Sequence, residues 1–202
     1  MSTILTNIKV DIPYEQIYRR LGYLKSTTSI NDTQKEKIDI AIKKSFLLCN
    51  LTACFQKYSI KEKNDNFVIF YNEIRWKSND LLRFLADINE IYLIGITAGK
   101  EIVDYRDKLI KEDAFISIIA DAVGSETVEK GANYLHNLIG KMIIKEGKHT
   151  VKRRYSPGYG DFLLENQSDF YKLLELQKIG VELTSNFILM PEKSITAIIG
   201  II

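Results

Sequence analysis

The chain has 202 residues, of which 46% are hydrophobic and 27% are charged, and its net charge at pH 7 is +2. This composition is close to that of an average globular protein, and it excludes a collagen-like, disordered, membrane-spanning or disulfide-scaffold protein. Because the net charge is close to zero, composition gives no reason to expect a nucleic-acid partner. A compact intracellular domain is the class that remains.

The N-terminal sequence contains Asp11 and no continuous apolar run, which is not the pattern of a secretory signal. The longest apolar run, around residues 91–98, is far shorter than the ~20 residues that cross a bilayer. Cys49 and Cys54 do not form a CxxC pair, and with only two histidines the chain offers too few ligands for a zinc site. We therefore predict a cytoplasmic protein with no metal site and no membrane interaction.

The N-terminal quarter predicts helices. A first helix is expected over residues 14–21, and residues 26–32 predict a loop. Thr33 and Glu36 have the spacing of a capping box. Apolar residues then follow at helical spacing, which predicts a helix over residues 34–57.

A β-rich section comes next. Residues 67–71 and 74–76 are rich in aromatic and branched side chains and predict two strands. Ser78 is typical of the N-cap of a short helix, expected over residues 80–88. The branched apolar run over residues 91–97 predicts a buried strand.

Two helices are predicted after this strand, the first through about residue 111 and the second over residues 113–145. The second helix carries Gly124, Gly131 and Gly140. Each glycine costs a helix interior about 1 kcal/mol relative to alanine. The glycines therefore indicate either close packing against a neighbouring element or a break in the helix.

The C-terminal third has a different pattern. Residues 155–161 predict a turn-rich loop, residues 166–176 a short helix, and residues 179–183 and 194–202 two strands. Because helices and strands are grouped along the chain and do not alternate strictly, the sequence favours an α+β fold over a doubly wound α/β fold.

The densest group of polar residues is Arg-Arg-Tyr-Ser-Pro-Gly-Tyr-Gly-Asp, at residues 153–161. Its Pro-Gly pair and second glycine predict tight turns that expose backbone amides. An arginine beside such a loop can bind a carboxylate or phosphate with two parallel hydrogen bonds. Tyr155 and Tyr159 offer flat faces for a ring or a cation. The alternative is an ordinary connecting loop with solvated arginines.

Two charged stretches precede this loop. Residues 141–154 hold six basic residues and one acid, a local charge of +5 that either attracts an acidic partner or is a solvated helix end. Asp121, Glu126 and Glu129 lie on the long predicted helix. Glu126 and Glu129 are three residues apart and can meet one ligand, the alternative being an exposed acidic face.

Several blocks of sequence, taken in order, carry a resemblance to a known family. They span residues 121–129, 154–161, 163–167, 179–184 and 190–194. Together they resemble the activation domain of cobalamin-dependent methionine synthase, especially its short stand-alone versions. The similarity covers about residues 110–202, and it is specific because the blocks occur in the family's order.

The resemblance implies a C-shaped α+β domain with a bent antiparallel sheet flanked by helices. It implies one domain over residues 1–202, with an N-terminal helical portion of about residues 1–60 packed on it. In that family the domain presents S-adenosylmethionine to a corrinoid that has oxidised to cob(II)alamin, while a flavodoxin-type protein supplies one electron. The implied ligand is S-adenosylmethionine, with cobalamin present only through a partner chain.

The resemblance also implies a set of ligand-binding residues, with no catalytic residue in this chain. They are Arg154, Ser156, Gly158, Tyr159, Glu126 and Glu129. Of the two adjacent arginines, only Arg154 matches the family's spacing to the glycine. We therefore expect Arg154 to bind the ligand carboxylate and Arg153 to stay in solvent.

The leading hypothesis is a reactivation subunit for a cobalamin-dependent methionine synthase, with the cobalamin-binding chain and a flavodoxin or ferredoxin-type electron donor as partners. The alternative is a non-catalytic module that docks a corrinoid protein or flavodoxin without binding a small molecule. His149 and Gly160–Asp161 depart from the long form of the family and favour this alternative. A methyltransferase acting alone ranks third, because no base that activates an acceptor is evident.

Overall fold

The structure, a computed structural model, describes residues 1–23 and 28–202. The helices are α1 (Tyr14–Arg20), α2 (Asp32–Phe46), α3 (Asn79–Phe84), α4 (Glu101–Glu112), α5 (Ala114–Ile143) and α6 (Gln167–Leu174). The strands are β1 (Thr3–Leu5), β2 (Thr52–Asn64), β3 (Phe67–Phe70), β4 (Arg75–Lys77), β5 (Glu90–Thr97), β6 (Thr150–Tyr155), β7 (Glu182–Leu183), β8 (Leu189–Met190) and β9 (Ser194–Ile201). The fold class is therefore α+β, as predicted.

The main sheet is antiparallel throughout and has the strand order β4-β3-β2-β5-β9-β6, with β1 also paired to β2. The long strand β2 pairs with β5 along its first part and with β3 along its last part. The register of the β2–β3 pair shifts between Ile60 and Glu62. Because an extra residue in one strand bends it and increases its twist, this shift bends the sheet, which confirms the predicted bent antiparallel sheet.

Both faces of the central strands are covered. Tyr92, Ile94 and Ile96 of β5 pack with α4 and α5 on one face. Ile91 and Leu93 point to the opposite face, where they meet α3 and α6. Two buried faces explain why β5 has a continuous apolar run with no alternation of polar residues.

The predicted helix over residues 34–57 is wrong in its second half, because α2 ends at Phe46 and β2 begins at Thr52. Ala53 and Cys54 point to opposite faces of the sheet and are both fully buried. Small apolar residues at these positions suit a helix as well as a strand, and pairing of β2 with β1 and β5 decides the outcome. The N-terminal portion, predicted to be helical to about residue 60, therefore includes strand residues.

The start of α2 also differs from the prediction. Asn31 is the N-cap, and its side chain forms a reciprocal capping box with Gln34, two residues earlier than the predicted Thr33–Glu36 pair. The predicted loop over residues 26–32 lies partly outside the described residues. The helices α1 and α2 pack on α5 through an apolar cluster that includes Ile17, Ile38, Ile42, Ile119 and Val123.

The long helix α5 is continuous over 30 residues. A Cβ atom on Gly131 would lie 2.7 Å from the Cδ1 atom of Ile96, and one on Gly124 would lie 3.1 Å from the Lys193 side chain. These glycines therefore permit close packing of α5 against the sheet and its connections, and the alternative of a helix break is wrong. No helix in residues 1–23 and 28–202 is long and apolar enough to span a membrane.

Strand β6 was not predicted, because residues 141–154 were interpreted as a basic stretch at the end of the predicted helix over residues 113–145. It forms one edge of the sheet and, among the described residues, pairs with β9 alone. Charged residues are common on edge strands because one side faces solvent. Lys152, Arg153 and Arg154 interrupt the apolar alternation that would predict a strand. Residues 176–179 form a 3₁₀ turn, so the strand predicted over 179–183 is reduced to β7.

Candidate functional site

A cleft of about 780 Å³ opens beside the edge strand β6. Its lining includes residues 152–157 of β6 and the following loop, residues 187–189 of the β7–β8 hairpin, and residues 194–196 of β9. The helix α5 contributes Glu129 and Asn133. The volume lies within the range of about 300–1,000 Å³ that is typical of small-molecule sites.

The loop after β6 is closed by its own hydrogen bonds. Gly158 has a φ of +92°, and its N–H donates to the carbonyl of Phe162 at 2.7 Å. The N–H of Tyr159 donates to the carbonyl of Ser156 at 3.3 Å. The expectation that this loop exposes its amides is therefore wrong at these two positions, and ligand binding at the loop falls mainly to side chains.

Gly160 and Asp161 fasten the loop to the start of α3. The Asp161 carboxylate accepts hydrogen bonds from the Ser78 hydroxyl and from the N–H groups of Asn79, at 2.8 Å, and Asp80, at 3.1 Å. The bond from Ser78 is the main reason that the pKa of Asp161 is lowered. Gly160 has a φ of +56°, and a Cβ atom there would overlap the Asp80 carboxylate. These two residues are thus explained by the packing of the loop.

Aromatic side chains pack against the loop after β6. The ring of Tyr155 stacks on Phe84 with centroids 5.2 Å apart, and its hydroxyl donates to the carbonyl of Tyr159 at 3.1 Å. Burial is the main cause of the raised pKa of Tyr155. Tyr159 itself is 65% exposed and lines the cleft. Of the two tyrosines, Tyr159 is therefore the one whose face is open to a ligand.

Arg154 is held in a fixed position at the cleft. Its Nη1 atom donates to Asn133 Oδ1 at 2.7 Å, and its Nη2 atom donates to Glu129 Oε2 at 3.0 Å. The side chain of Arg154 is 18% exposed and that of Glu129 is 49% exposed. Arg153 also lines the cleft, but it is exposed.

The contacts of Arg154 belong to a polar stripe on α5, whose side chains are four residues apart and share one face. The stripe consists of Asp121, Ser125, Glu129 and Asn133. Lys193, which immediately precedes β9, donates to Asp121 at 2.6 Å and to Ser125 at 2.9 Å. The α5 polar stripe therefore anchors the start of β9 at one end and Arg154 of β6 at the other.

The predicted site residues do not all reach the cleft. Those that line it are Arg154, Ser156, Tyr159 and Glu129. Glu126 accepts a hydrogen bond of 2.6 Å from Arg20 Nε, so it faces α1. Gly158 shapes the turn without lining the cleft.

Several polar residues of the cleft were not predicted from the sequence. Asn133 follows Glu129 by four residues, so helical spacing was a usable signal. Gln167 is buried and shares hydrogen bonds with the hydroxyl of Thr196, while the Ser156 hydroxyl donates to the carbonyl of Thr196 at 2.7 Å. Glu192 lies in the family-like block of residues 190–194, which was a usable signal, although nothing in the sequence places it beside β6.

Residues elsewhere that could carry chemistry are placed for packing. Burial raises the pKa of Cys49 to about 11 and that of Cys54 to about 12, so both thiols stay protonated at neutral pH. Burial is also the main cause of the lowered pKa of His136. Across the described part of the chain, no group of three or more His, Cys, Asp or Glu residues is placed to hold a metal ion.

The fold and the cleft together define an α+β domain with a bent antiparallel sheet and a polar cleft at its edge strand. Among solved structures, the chain is similar to the MetH reactivation domain bound to AdoHcy, with a TM-score of 0.70 and 12% sequence identity. The match covers 99% of this chain and 78% of the other chain. No protein-family model matches the sequence, and no curated protein matches it. The resemblance found in the sequence is thus confirmed at the level of the fold.

Proposed function

We propose that this chain is an S-adenosylmethionine-binding reactivation subunit, which supports reductive methylation of cob(II)alamin in a cobalamin-dependent methionine synthase. The observation that carries the proposal is Arg154, which Asn133 and Glu129 hold at a cleft of suitable size. The shared fold supports it, because the similar MetH domain is bound to AdoHcy. We infer further that residues 1–202 act as one activation-like domain.

The residues of the cleft fit the chemical groups of the proposed ligand. A guanidinium has five N–H donors. Two of those on Arg154 are used by Asn133 and Glu129, so within the described residues others remain for the ligand carboxylate. Glu129 is half exposed and can accept from the ligand ammonium. The exposed ring of Tyr159 offers a face for the adenine or the sulfonium.

The role proposed for this chain is to bind and orient the methyl donor. S-adenosylmethionine supplies the methyl group and an electron donor supplies one electron, which together convert cob(II)alamin to methylcobalamin and leave S-adenosylhomocysteine. Arg154, Glu129 and Tyr159 would fix the position of the ligand, which is the main contribution a protein makes when the reactive groups belong to the ligand and the cofactor.

The proposal requires a partner that covers the open side of the cleft. The exposed apolar side chains Tyr159, Leu164, Phe187 and Ile188 line the cleft, and exposed apolar surface of this kind favours protein contacts. The partners we propose are a cobalamin-binding methionine synthase chain and a flavodoxin or ferredoxin-type donor. The cytoplasmic location stays a prediction from the sequence.

One observation favours the second candidate function, an interaction module that binds no small molecule. Arg154 is already ion-paired with Glu129, so a ligand carboxylate must share or displace an existing contact. Such a module would capture a corrinoid protein while its melting temperature stays the same when S-adenosylmethionine is added.

Isothermal titration of the full chain with S-adenosylmethionine tests the proposal. We expect saturable binding, and S-adenosylhomocysteine should bind as well because it retains the carboxylate, ammonium and adenosine. Absence of binding heat at millimolar ligand would refute the ligand assignment. Capture of the corrinoid protein under the same conditions would then establish the interaction module in its place.

A further inference from the structure

Glu192 is a charged residue of the cleft that the proposed ligand contacts have not used. Within the described residues, the carboxylates that line the cleft are Glu129 and Glu192. Glu129 is bonded to Arg154, whereas Glu192 is bonded to Arg106 of α4 at 2.6 Å. The two carboxylates are thus held by different elements and serve different parts of the cleft.

Arg106 fixes the place of the Glu192 carboxylate relative to α5. The Nη1 atom of Arg106 donates both to Glu192 Oε2, at 2.6 Å, and to Asp121 Oδ1, at 3.1 Å. Asp121 precedes Glu129 by eight residues of the α5 polar stripe, a distance of about 12 Å at 1.5 Å per residue. The Glu192 carboxylate therefore lies at the Asp121 end of the α5 polar stripe, and the Arg154 guanidinium lies at the Glu129 end.

This separation matches the length of an amino acid joined to a nucleoside. In S-adenosylmethionine, eight covalent bonds connect the carboxyl carbon to the 3′-oxygen of the ribose, about 10 Å when the chain is extended. A hydrogen bond adds about 2.8 Å at each end. A ligand whose carboxylate lies on Arg154 is therefore long enough for its ribose to contact Glu192 in the same cleft.

The chemistry of Glu192 suits the ribose diol. An ionised carboxylate only accepts hydrogen bonds, and its two oxygens match two neighbouring hydroxyl donors. An acidic residue has this role toward ribose in dinucleotide-binding folds. Arg106 engages Oε2, while the side chain of Glu192 remains 48% exposed and so accessible to a ligand.

We propose that Glu192 binds the ribose hydroxyls of the adenosyl ligand and makes the cleft selective for ribonucleosides. The assignment rests on the proposed function. Asp107 provides a matched control, because it is also bonded to Arg106, at 2.7 Å, and its side chain is 52% exposed, but it does not line the cleft.

The test compares titrations of S-adenosylhomocysteine and its 2′,3′-dideoxy analogue against the wild-type chain, Glu192→Ala and Asp107→Ala. The wild type should bind the ribose form roughly ten- to a hundredfold more tightly, the range for hydrogen bonds to a charged group. Glu192→Ala should lose most of this preference by weakening only the ribose form, and Asp107→Ala should keep it. Glu192→Gln, which keeps the size of the side chain, should give an intermediate preference.

The outcomes separate this assignment from the proposed function. If Glu192→Ala keeps the wild-type preference, or if the wild type has none, the ribose assignment is overturned while adenosyl binding stands. If the wild type binds neither compound, the proposed function and the ribose assignment both fail. Thermal melting of each variant, expected within a few degrees of wild type for these half-exposed residues, confirms that the folded protein was measured.

Discussion

Arg154 and Arg153 differ by one position in the chain, and their alanine variants should differ strongly in ligand binding. Arg154 is held by Asn133 and Glu129 at the cleft, whereas Arg153 is exposed. Removing a charge-assisted and potentially bidentate contact to a carboxylate costs about 1.5–3 kcal/mol. Arg154→Ala should therefore weaken S-adenosylmethionine binding by roughly ten- to a hundredfold.

The neighbouring arginine is the internal control. An exposed charge contributes at most about 1 kcal/mol, so Arg153→Ala should change the dissociation constant by no more than about fivefold. Arg154→Lys should recover only part of the lost affinity, because an ammonium lacks the planar arrangement of donors. Isothermal titration measures all three variants on the same scale.

The structure also limits what the Arg154 substitution does to stability. The partner Glu129 is half exposed, so water can solvate it when the arginine is removed, and the loss of the ion pair should cost no more than about 1 kcal/mol. The lost hydrogen bond to Asn133 adds about 1 kcal/mol, so for a domain of this size the melting temperature should fall by about 4–8 °C. If both alanine variants remain folded and bind like the wild type, the loop is a connector and the assignment of Arg154 is wrong.

Two further predictions concern stability. Gly131→Ala should destabilise the fold by up to about 2 kcal/mol in urea unfolding, because its Cβ atom would lie 2.7 Å from Ile96 and the overpacking cost of about 1–3 kcal/mol exceeds the helix-propensity gain of about 1 kcal/mol. Gly140→Ala, where the nearest atom is at 3.5 Å, should be neutral or stabilise by up to about 1 kcal/mol, and equal effects would contradict the packing argument. The lowered pKa of Asp161 means that its charge favours the folded state fully above its ordinary pKa of 3.8 and progressively less as the pH falls through its folded value. The difference in melting temperature between wild type and Asp161→Asn should therefore shrink below pH 3.8, and a difference that is constant with pH would refute this.

The elements that could be predicted from sequence are those whose local signal agrees with their tertiary environment. The apolar run of β5 is buried on both faces, and Ser78 caps α3 as its position before a short helix indicated. Residues 52–57 were mispredicted because the small apolar side chains of Ala53 and Cys54 satisfy both the helical and the strand pattern. Strand β6 was missed because an edge strand needs apolar residues on only one of its faces.

The residues of the candidate site also divide into those that a local sequence pattern indicates and those that it does not. The loop and Arg154 could be singled out because their residues are contiguous and match a family motif, and their role in ligand binding stays a prediction. Asn133 and Glu192 reach the cleft through the packing of α5 and α4 against the strands, so their contribution depends on contacts between residues distant in sequence. Glu126 accepts a hydrogen bond from Arg20 of α1, a contact between residues more than 100 positions apart that no local sequence pattern indicates.

The spacing of side chains along α5 fixes the distance between Lys193 and Arg154, because the α5 polar stripe binds both. Lys193 and Arg154 are both hydrogen-bonded to side chains of the α5 polar stripe. These side chains are four residues apart, which is about one helical turn. Inserting a single residue between Ser125 and Glu129 would rotate one anchor by about 100° relative to the other, so that both cannot face the strands together. An insertion that keeps both anchors facing the strands must therefore add three or four residues, which lengthens the distance between the anchors by about 4.5–6 Å.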